Sequence, residues 1–198
     1  MTTKKDNELP VLYCRDQTEF EQWLERHHAD SPGIRLRMAK KDAGMDSVTY
    51  AEALECALCY GWIDSQKEAY DDKTWVQRFT PRKPKSIWSK VNKDKVERLI
   101  AEGRMKAAGL AAIDEAKRNG QWDKAYASQS TAEIPDDLAA ALEASPPAKA
   151  FYDSLDKQNQ YAIKFRIHQV KKQETRERRI RQFIEMLEKG EKIYPTKS

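Results

Sequence analysis

The sequence predicts an α+β protein: a small antiparallel or mixed sheet covered by helices, followed by an all-helical C-terminal region. Three observations carry that reading. Ile34, Leu36 and Met38 alternate with Arg35, Arg37 and Ala39, the period of a half-buried strand with a basic outer face. Trp62 to Tyr70 and Thr74 to Pro81 are two further strand-like runs joined by Asp71-Asp72-Lys73, the form of a hairpin. Beyond residue 133 the pattern is helical throughout. The expected organisation is an α+β domain over 10–122, a linker over 123–133 and a helical region over 134–194.

The totals agree with this. A chain of 198 residues can bury one substantial core and carry a helical appendage. With 39% apolar and 34% charged residues, the helices should be strongly amphipathic and the surface wet. No apolar run of signal-peptide length lies near the start, and none approaches the roughly 20 residues of a membrane span. A cytoplasmic location without membrane insertion is therefore expected. Three cysteines, Cys14, Cys56 and Cys59, fit reduced thiols better than a disulfide framework.

Taken in order, residues 1–9 read as a disordered start and Val11 to Cys14 as a short strand. Asp16 or Thr18 can cap a helix with Phe20, Trp23 and Leu24 on one face, ending near Ala29 before Ser31-Pro32-Gly33. After the Ile34 strand, Lys40 to Ser47 is turn material. The next helix turns Ala51, Leu54, Cys56 or Leu58, and Cys59 inward, and Gly61 stops it. In the second hairpin strand Trp75, Gln77 and Phe79 share one face, Val76 and Arg78 the other.

Pro81-Arg82-Lys83-Pro84-Lys85 cannot pair as a central strand, since proline donates no backbone hydrogen bond, and reads as an extended basic connector. Ser86, Ser89 or Asn92 can cap a helix with Val91 or Val96, Leu99 and Ile100 inward. A further helix over about Lys106 to Asn119 turns Leu110, Ile113 and Ala116 inward, after which Trp122 packs back. In the C-terminal region, Pro135-Asp136-Asp137 suits a first turn. Ser145-Pro146-Pro147 divides the first two helices, Asp156 caps a third and Thr175 a fourth containing Ile180, Phe183, Ile184 and Leu187.

Positive charge is concentrated in two places. Lys73 to Arg98 holds nine Lys or Arg against two acids, and Lys164 to Arg181 holds eight against two. Residues 57–92 also hold three of the five tryptophans, Trp62, Trp75 and Trp88. Cations on a connector leading into a helix N-terminus can hold an anion, and rings among them can stack a base or sugar. The structural alternative is that the rings are core and the cations solvated or paired with Asp71 and Asp72. Arg176 and Arg179 lie at a basic helix start, unfavourable for the helix dipole, which suggests a nucleic-acid contact unless they form only the wet face. Asp64 and Ser65 could serve as base and hydroxyl, yet no histidine is placed within their reach by sequence. Cys56 and Cys59 have CxxC spacing but lie near a helix C-terminus, where the dipole does not lower a thiol pKa, so packing is the expected role. His27, His28 and His168 form no ligand set. No cofactor and no metal are expected.

The stretches Ala57 to Ser65 (ALCYGWIDS), Gln77 to Asn92 (QRFTPRKPKSIWSKVN), Arg98 to Gly109 (RLIAEGRMKAAG), and the C-terminal IPDDLAAAL and ETRERRI resemble the bacterial YdeI/OmpD-associated family, also described as bacteriocin-protection proteins. The resemblance spans most of residues 34–190. It implies protection against envelope-active toxins or stress, and it transfers no catalytic residue or cofactor. The recurrent positions it marks are Trp62, Asp64, Ser65, Arg78, Pro81, Arg82, Ser86, Trp88, Ser89 and Asn92. Together with Lys83, these predict a ligand-binding surface for an anion: a nucleotide, nucleic acid or phosphorylated metabolite. The competing readings are an enzyme using Asp64 and Ser65 with Arg82 on a small anionic substrate, and an adaptor with a protein partner.

Overall fold

The computed structural model describes residues 9–127 and 132–195. Residues 1–8 and the middle of the expected linker, 128–131, lie outside the described residues. The chain divides into two compact units with the boundary between Ala125 and Tyr126.

The first unit contains β1 (Val11–Tyr13), α1 (Gln17–His27), β2 (Ile34–Ala39), α2 (Tyr50–Cys59), β3 (Trp62–Ala69), β4 (Thr74–Pro81), α3 (Lys90–Ala101) and α4 (Ala107–Arg118). The strands form one sheet in the order β1-β2-β4-β3. β1 runs parallel to β2, whereas β2 and β3 pair antiparallel with β4, so the sheet is mixed. Alternation decides its two faces: Ile34, Leu36 and Met38 are buried, and Arg35 and Arg37 half-buried on the other side. Phe79 opposite Ile34 and Gln77 opposite Leu36 continue the inner face onto β4. Phe20 and Leu24 from α1, Leu54 and Leu58 from α2, Val96 and Leu99 from α3 and Ile113 from α4 close the core over it. Each such buried side chain contributes about 1.5–3 kcal/mol, which is why a charged sequence still folds.

Local chemistry sets the ends of these elements. Asp16 caps α1 by accepting from the Glu19 amide at 2.9 Å, and Ser89 caps α3 by accepting from the Asn92 amide at 3.1 Å. Thr18, Ser86 and Asn92 are therefore not the caps. α2 starts with a capping box in which Thr49 and Glu52 satisfy each other's backbone amides.

Several expected inward positions are turned out. Val91, Ile100 and Leu110 are 46%, 43% and 41% exposed, and Ala51 is exposed. In α3 the buried pair is Val96 and Leu99; in α4 it is Gly109, Ile113 and Ala116 that face the core. The reason is close approach. A Cβ on Gly109 would sit 2.2 Å from the Cys59 carbonyl oxygen, so only a hydrogen fits there, and Leu110, one position along, is rotated to solvent.

The second unit holds α5 (Asp136–Ala144), α6 (Pro146–Ser154), α7 (Lys157–His168) and α8 (Gln173–Glu188). Its core is Leu138, Leu142, Tyr152, Ile163, Ile167, Ile180, Phe183 and Leu187. Asp156 caps α7 through the Asn159 amide at 2.7 Å, as expected. Thr175 does not cap α8, which begins two residues earlier at Gln173 without a side-chain cap. Among the described residues no helix is long and apolar enough to cross a membrane.

Candidate functional site

The site is built where α2 hands over to the β3–β4 hairpin. Gly61 ends α2 with φ +73°, and a Cβ there would lie 2.8 Å from the Ala108 carbonyl of α4. Glycine thus allows both the reversal into β3 and the close seating of α4. The hairpin returns to the same point: Trp62 pairs with Pro81, and the Arg82 amide donates to the Gly61 carbonyl at 2.9 Å. The Lys106 amide in turn donates to the Cys59 carbonyl at 3.1 Å, fixing the start of α4.

The segment after Pro81 departs from the expected extended connector. Lys83 to Ser86 is a β-turn with Pro84 in its second position, closed by the Ser86 amide on the Lys83 carbonyl at 2.8 Å. The Ser86 hydroxyl also accepts from the Lys83 amide at 2.9 Å. Asn119, at the end of α4, donates from Nδ2 to the Pro84 carbonyl at 2.6 Å and ties the turn down.

These constraints shape a cleft of about 330 Å³. Its walls include Trp62, Pro81, Trp88 and the alanine stripe Ala108, Ala112 and Ala116 of α4. Its cationic groups are Arg82 and Lys83, with His28 and Glu115 also at its margin. Arg82 lies with its guanidinium carbon 3.5 Å from the Trp88 ring centroid, the thickness of a stacked pair, and donates from Nη1 to the Ile87 carbonyl at 3.3 Å. Trp88 leans edge-on against Trp122 at 5.0 Å, which confirms the return of Trp122 to the core. Trp62 donates its indole N–H to the His28 carbonyl at 3.1 Å and meets Trp23 edge-on at 5.8 Å. Both indoles are almost fully buried, so they form the floor of the cleft and not free stacking platforms. His28 Nδ1 donates to the Leu24 carbonyl at 2.9 Å. The Tyr60 hydroxyl donates to the Glu25 carboxylate, and burial with that neighbouring charge raises its pKa.

Of the residues singled out in the sequence, the structure brings together Trp62, Pro81, Arg82, Lys83, Ser86 and Trp88 in this cleft. The others are elsewhere. Asp64 accepts from the Tyr50 hydroxyl at 2.8 Å, and the exposed Ser65 offers its carbonyl to Gln77 Nε2 at 3.1 Å; neither lines the cleft. Arg78 is on the outer sheet face directly across from Arg35. Ser89 and Asn92 are engaged in the α3 cap. Arg176 belongs to the second unit, where it grips both carboxylate oxygens of Asp137 and donates to the Ile167 carbonyl at 2.9 Å. That pairing holds the Asp137 carboxyl below the usual carboxylate range. Arg179 is half-buried on α8.

Sequence reasoning missed His28, Ala108, Ala112 and Glu115 as lining residues. The alanines at four-residue spacing were a readable signal; the end of α1 gave none.

Cys56 and Cys59 are buried free thiols, and burial pushes Cys56 up to about 12, the opposite of a redox pair. Among the described residues no group of three or more His, Cys, Asp or Glu side chains could hold a metal ion. The arrangement offers one stacked guanidinium and one ammonium above an apolar slot. It suits an anionic head on an apolar body.

Residues 12–112 match a family described as a domain of unknown function, DUF8412, and residues 131–190 match the family described as bacteriocin-protection, YdeI or OmpD-associated. Most of the cleft and the motifs from Ala57 to Gly109 thus lie in the first match, with Glu115 and Ala116 of the cleft just beyond it, and IPDDLAAAL and ETRERRI lie in the second. No curated protein and no solved structure matches the chain. The chain belongs to the DUF8412 family through its first unit, and its C-terminal helices are similar to the family described as bacteriocin-protection, YdeI or OmpD-associated.

Proposed function

We propose that the protein is a non-enzymatic binder of a small anionic molecule, held in the cleft between the hairpin and α4. One observation carries this reading: Arg82 and Lys83 stand at a cleft of about 330 Å³ lined mainly by indole, proline and alanine, with the Glu115 carboxylate also on its lining. That volume is at the small end of ligand sites, where a few polar groups orient a mostly apolar body. A carboxylate or phosphate would meet the guanidinium, already held over Trp88, and lose little side-chain entropy on binding. The walled geometry favours a metabolite over a polymer. The cellular setting we attach to it, a cytoplasmic stress-associated role, takes its support from the bacteriocin-protection segment.

The reading is tested by thermal shift against a panel of aliphatic and aromatic carboxylates and phosphate monoesters, followed by calorimetry on any hit. A true ligand at one hundred times its Kd stabilises the protein by about 2.7 kcal/mol. Arg82→Gln should weaken it at least tenfold, while Arg176→Gln should leave it unchanged. No stabilisation by any anion of the panel, or equal affinity in Arg82→Gln, removes the proposal.

A further inference from the structure

The opposite end of the same hairpin carries a second meeting of indole and cations that the cleft does not use. Trp75 and Ala69, paired across β3 and β4, line a cavity of about 320 Å³ with Lys40, Lys41 and Lys67. Three ammonium groups thus surround one half-buried indole, and no carboxylate is among the lining residues.

The placement is built into the backbone. Between Asp64 and Lys67 the register of β3 against β4 shifts by one residue. Without that bulge Lys67, three residues from Asp64, would point to the opposite face; with it, Lys67 lies opposite Gln77 and on the face of Trp75. Its Nζ sits 4.2 Å from the Trp75 ring centroid. Lys40 is anchored differently, its Nζ donating to the Asp71 and Asp72 carbonyls at 2.8 and 3.1 Å. The turn that follows it contains Asp42 at φ +63°, a left-handed conformation unusual for a residue with a side chain, and keeps Lys41 beside Lys40. Two acids of the neighbouring segments are engaged elsewhere: the Asp71 carboxylate binds Arg37, the Lys73 amide and Thr74, and Asp64 accepts from Tyr50, whose ring lies 6.3 Å from Trp75. Among the described residues neither Lys41 nor Lys67 has an ion-pair partner.

Converged like charges repel, and an anion relieves that cost. An aromatic wall adds a preference for a planar group, which bare phosphate lacks. We infer that this end of the hairpin binds a nucleotide unit, the phosphate among Lys40, Lys41 and Lys67 and the base against Trp75. The nucleotide can come free or as part of a single strand, and the two sources share this chemistry.

The experiment uses the full chain and a fluorescein-labelled thymidylate dodecamer read by anisotropy, with thymidine monophosphate and inorganic pyrophosphate as competitors. Dodecamer binding that weakens steeply with salt, and a monophosphate that competes only weakly, assigns the site to single strands. Monophosphate competing as well as the dodecamer assigns it to free nucleotides. In either case Lys41→Gln combined with Lys67→Gln should weaken binding about tenfold or more, and in the first case it should reduce the salt slope by roughly 1–2. Trp75→Ala should weaken binding at least fivefold, whereas Arg82→Gln should leave it unchanged. The lysine variants are on the surface and leave the fold intact, so the test survives even if Trp75→Ala is poorly folded. Absence of binding at millimolar nucleotide, or pyrophosphate displacing the probe as well as the monophosphate does, overturns the inference.

Discussion

The two basic stretches carry nearly the same excess charge, nine cations against two acids in Lys73 to Arg98 and eight against two in Lys164 to Arg181, yet they are used in different ways. In the first, Arg82 stacks on Trp88 at the edge of a cleft. In the second, Arg176 is clamped by Asp137 from a different helix and also donates to the end of α7. The difference lies in what faces each arginine. Asp137 sits in the first turn of α5, where an acid is favoured by the helix dipole and is also in reach of α8. Around Arg82 the cleft presents mainly indole, proline and alanine, with His28 and the Glu115 carboxylate also on its lining. A cation count in a sequence therefore does not tell an arginine clamped by a carboxylate from one stacked on an indole. The second region is shaped by a charge pair, the first by close backbone approach.

The largest effect should come from attacking that close approach. Gly109→Ala places a methyl 2.2 Å from the Cys59 carbonyl and 2.7 Å from Met105 Cε, so α4 must move off α2 and weaken the Lys106-to-Cys59 hydrogen bond. Overpacking of this severity costs about 3 kcal/mol. Because Ala108 and Ala112 line the cleft, ligand affinity should fall along with stability in urea titration. Loss of stability with the cleft's affinity unaltered would break the link between glycine packing and the site.

Next comes the charge pair. Asp137→Ala leaves Arg176 beside Ile167 without its carboxylate. Their side chains are 35% and 21% exposed, so the loss, discounted for solvent, is about 2 kcal/mol. Cleft binding should be unaffected. A cost below roughly 0.5 kcal/mol would place this pair with ordinary surface ion pairs and return Arg176 to the pool of cations free for a partner.

Much of the fold was legible, because period and punctuation are local. The alternation of β2, the two hairpin strands, and the Asp16, Ser89 and Asp156 caps follow from residues within a few positions of one another. The grouping of Trp62, Arg82, Lys83, Ser86 and Trp88 was legible for the same reason: one hairpin and one turn bring them together. What escaped depends on distant partners. Gly109 faces inward because the Cys59 carbonyl is there, fifty positions away in the chain; judged by side-chain size alone, Leu110 looked the better core residue. The bulge before Lys67 puts Lys67 on Trp75, and no local signal announces a register shift. The Asp137 partner of Arg176 is 39 positions away.

The smallest effect is also the most specific to the comparison, since it depends on the titration of the Asp137 carboxylate that Arg176 grips. Hydrogen bonds from Arg176 are the leading cause of the depressed Asp137 pKa. In the unfolded chain that carboxyl titrates near 4. Between the folded and unfolded values the unfolded state binds more protons, so the stabilisation is fully present above about pH 4 and is lost as pH falls through the folded pKa. Asp156, Asp71, Glu55 and Glu19 have lowered values too, so the acid limb of the whole protein reports several carboxylates. The informative quantity is therefore the difference between the parent and Asp137→Asn, followed by urea denaturation from neutral pH down to about pH 3. That difference should shrink by roughly 1 kcal/mol over the acid limb, after allowance for the partial exposure of the pair. If instead Asp137→Asn stays parallel to the parent down to pH 3, the Arg176 pair is not what holds the Asp137 carboxyl low in the folded state.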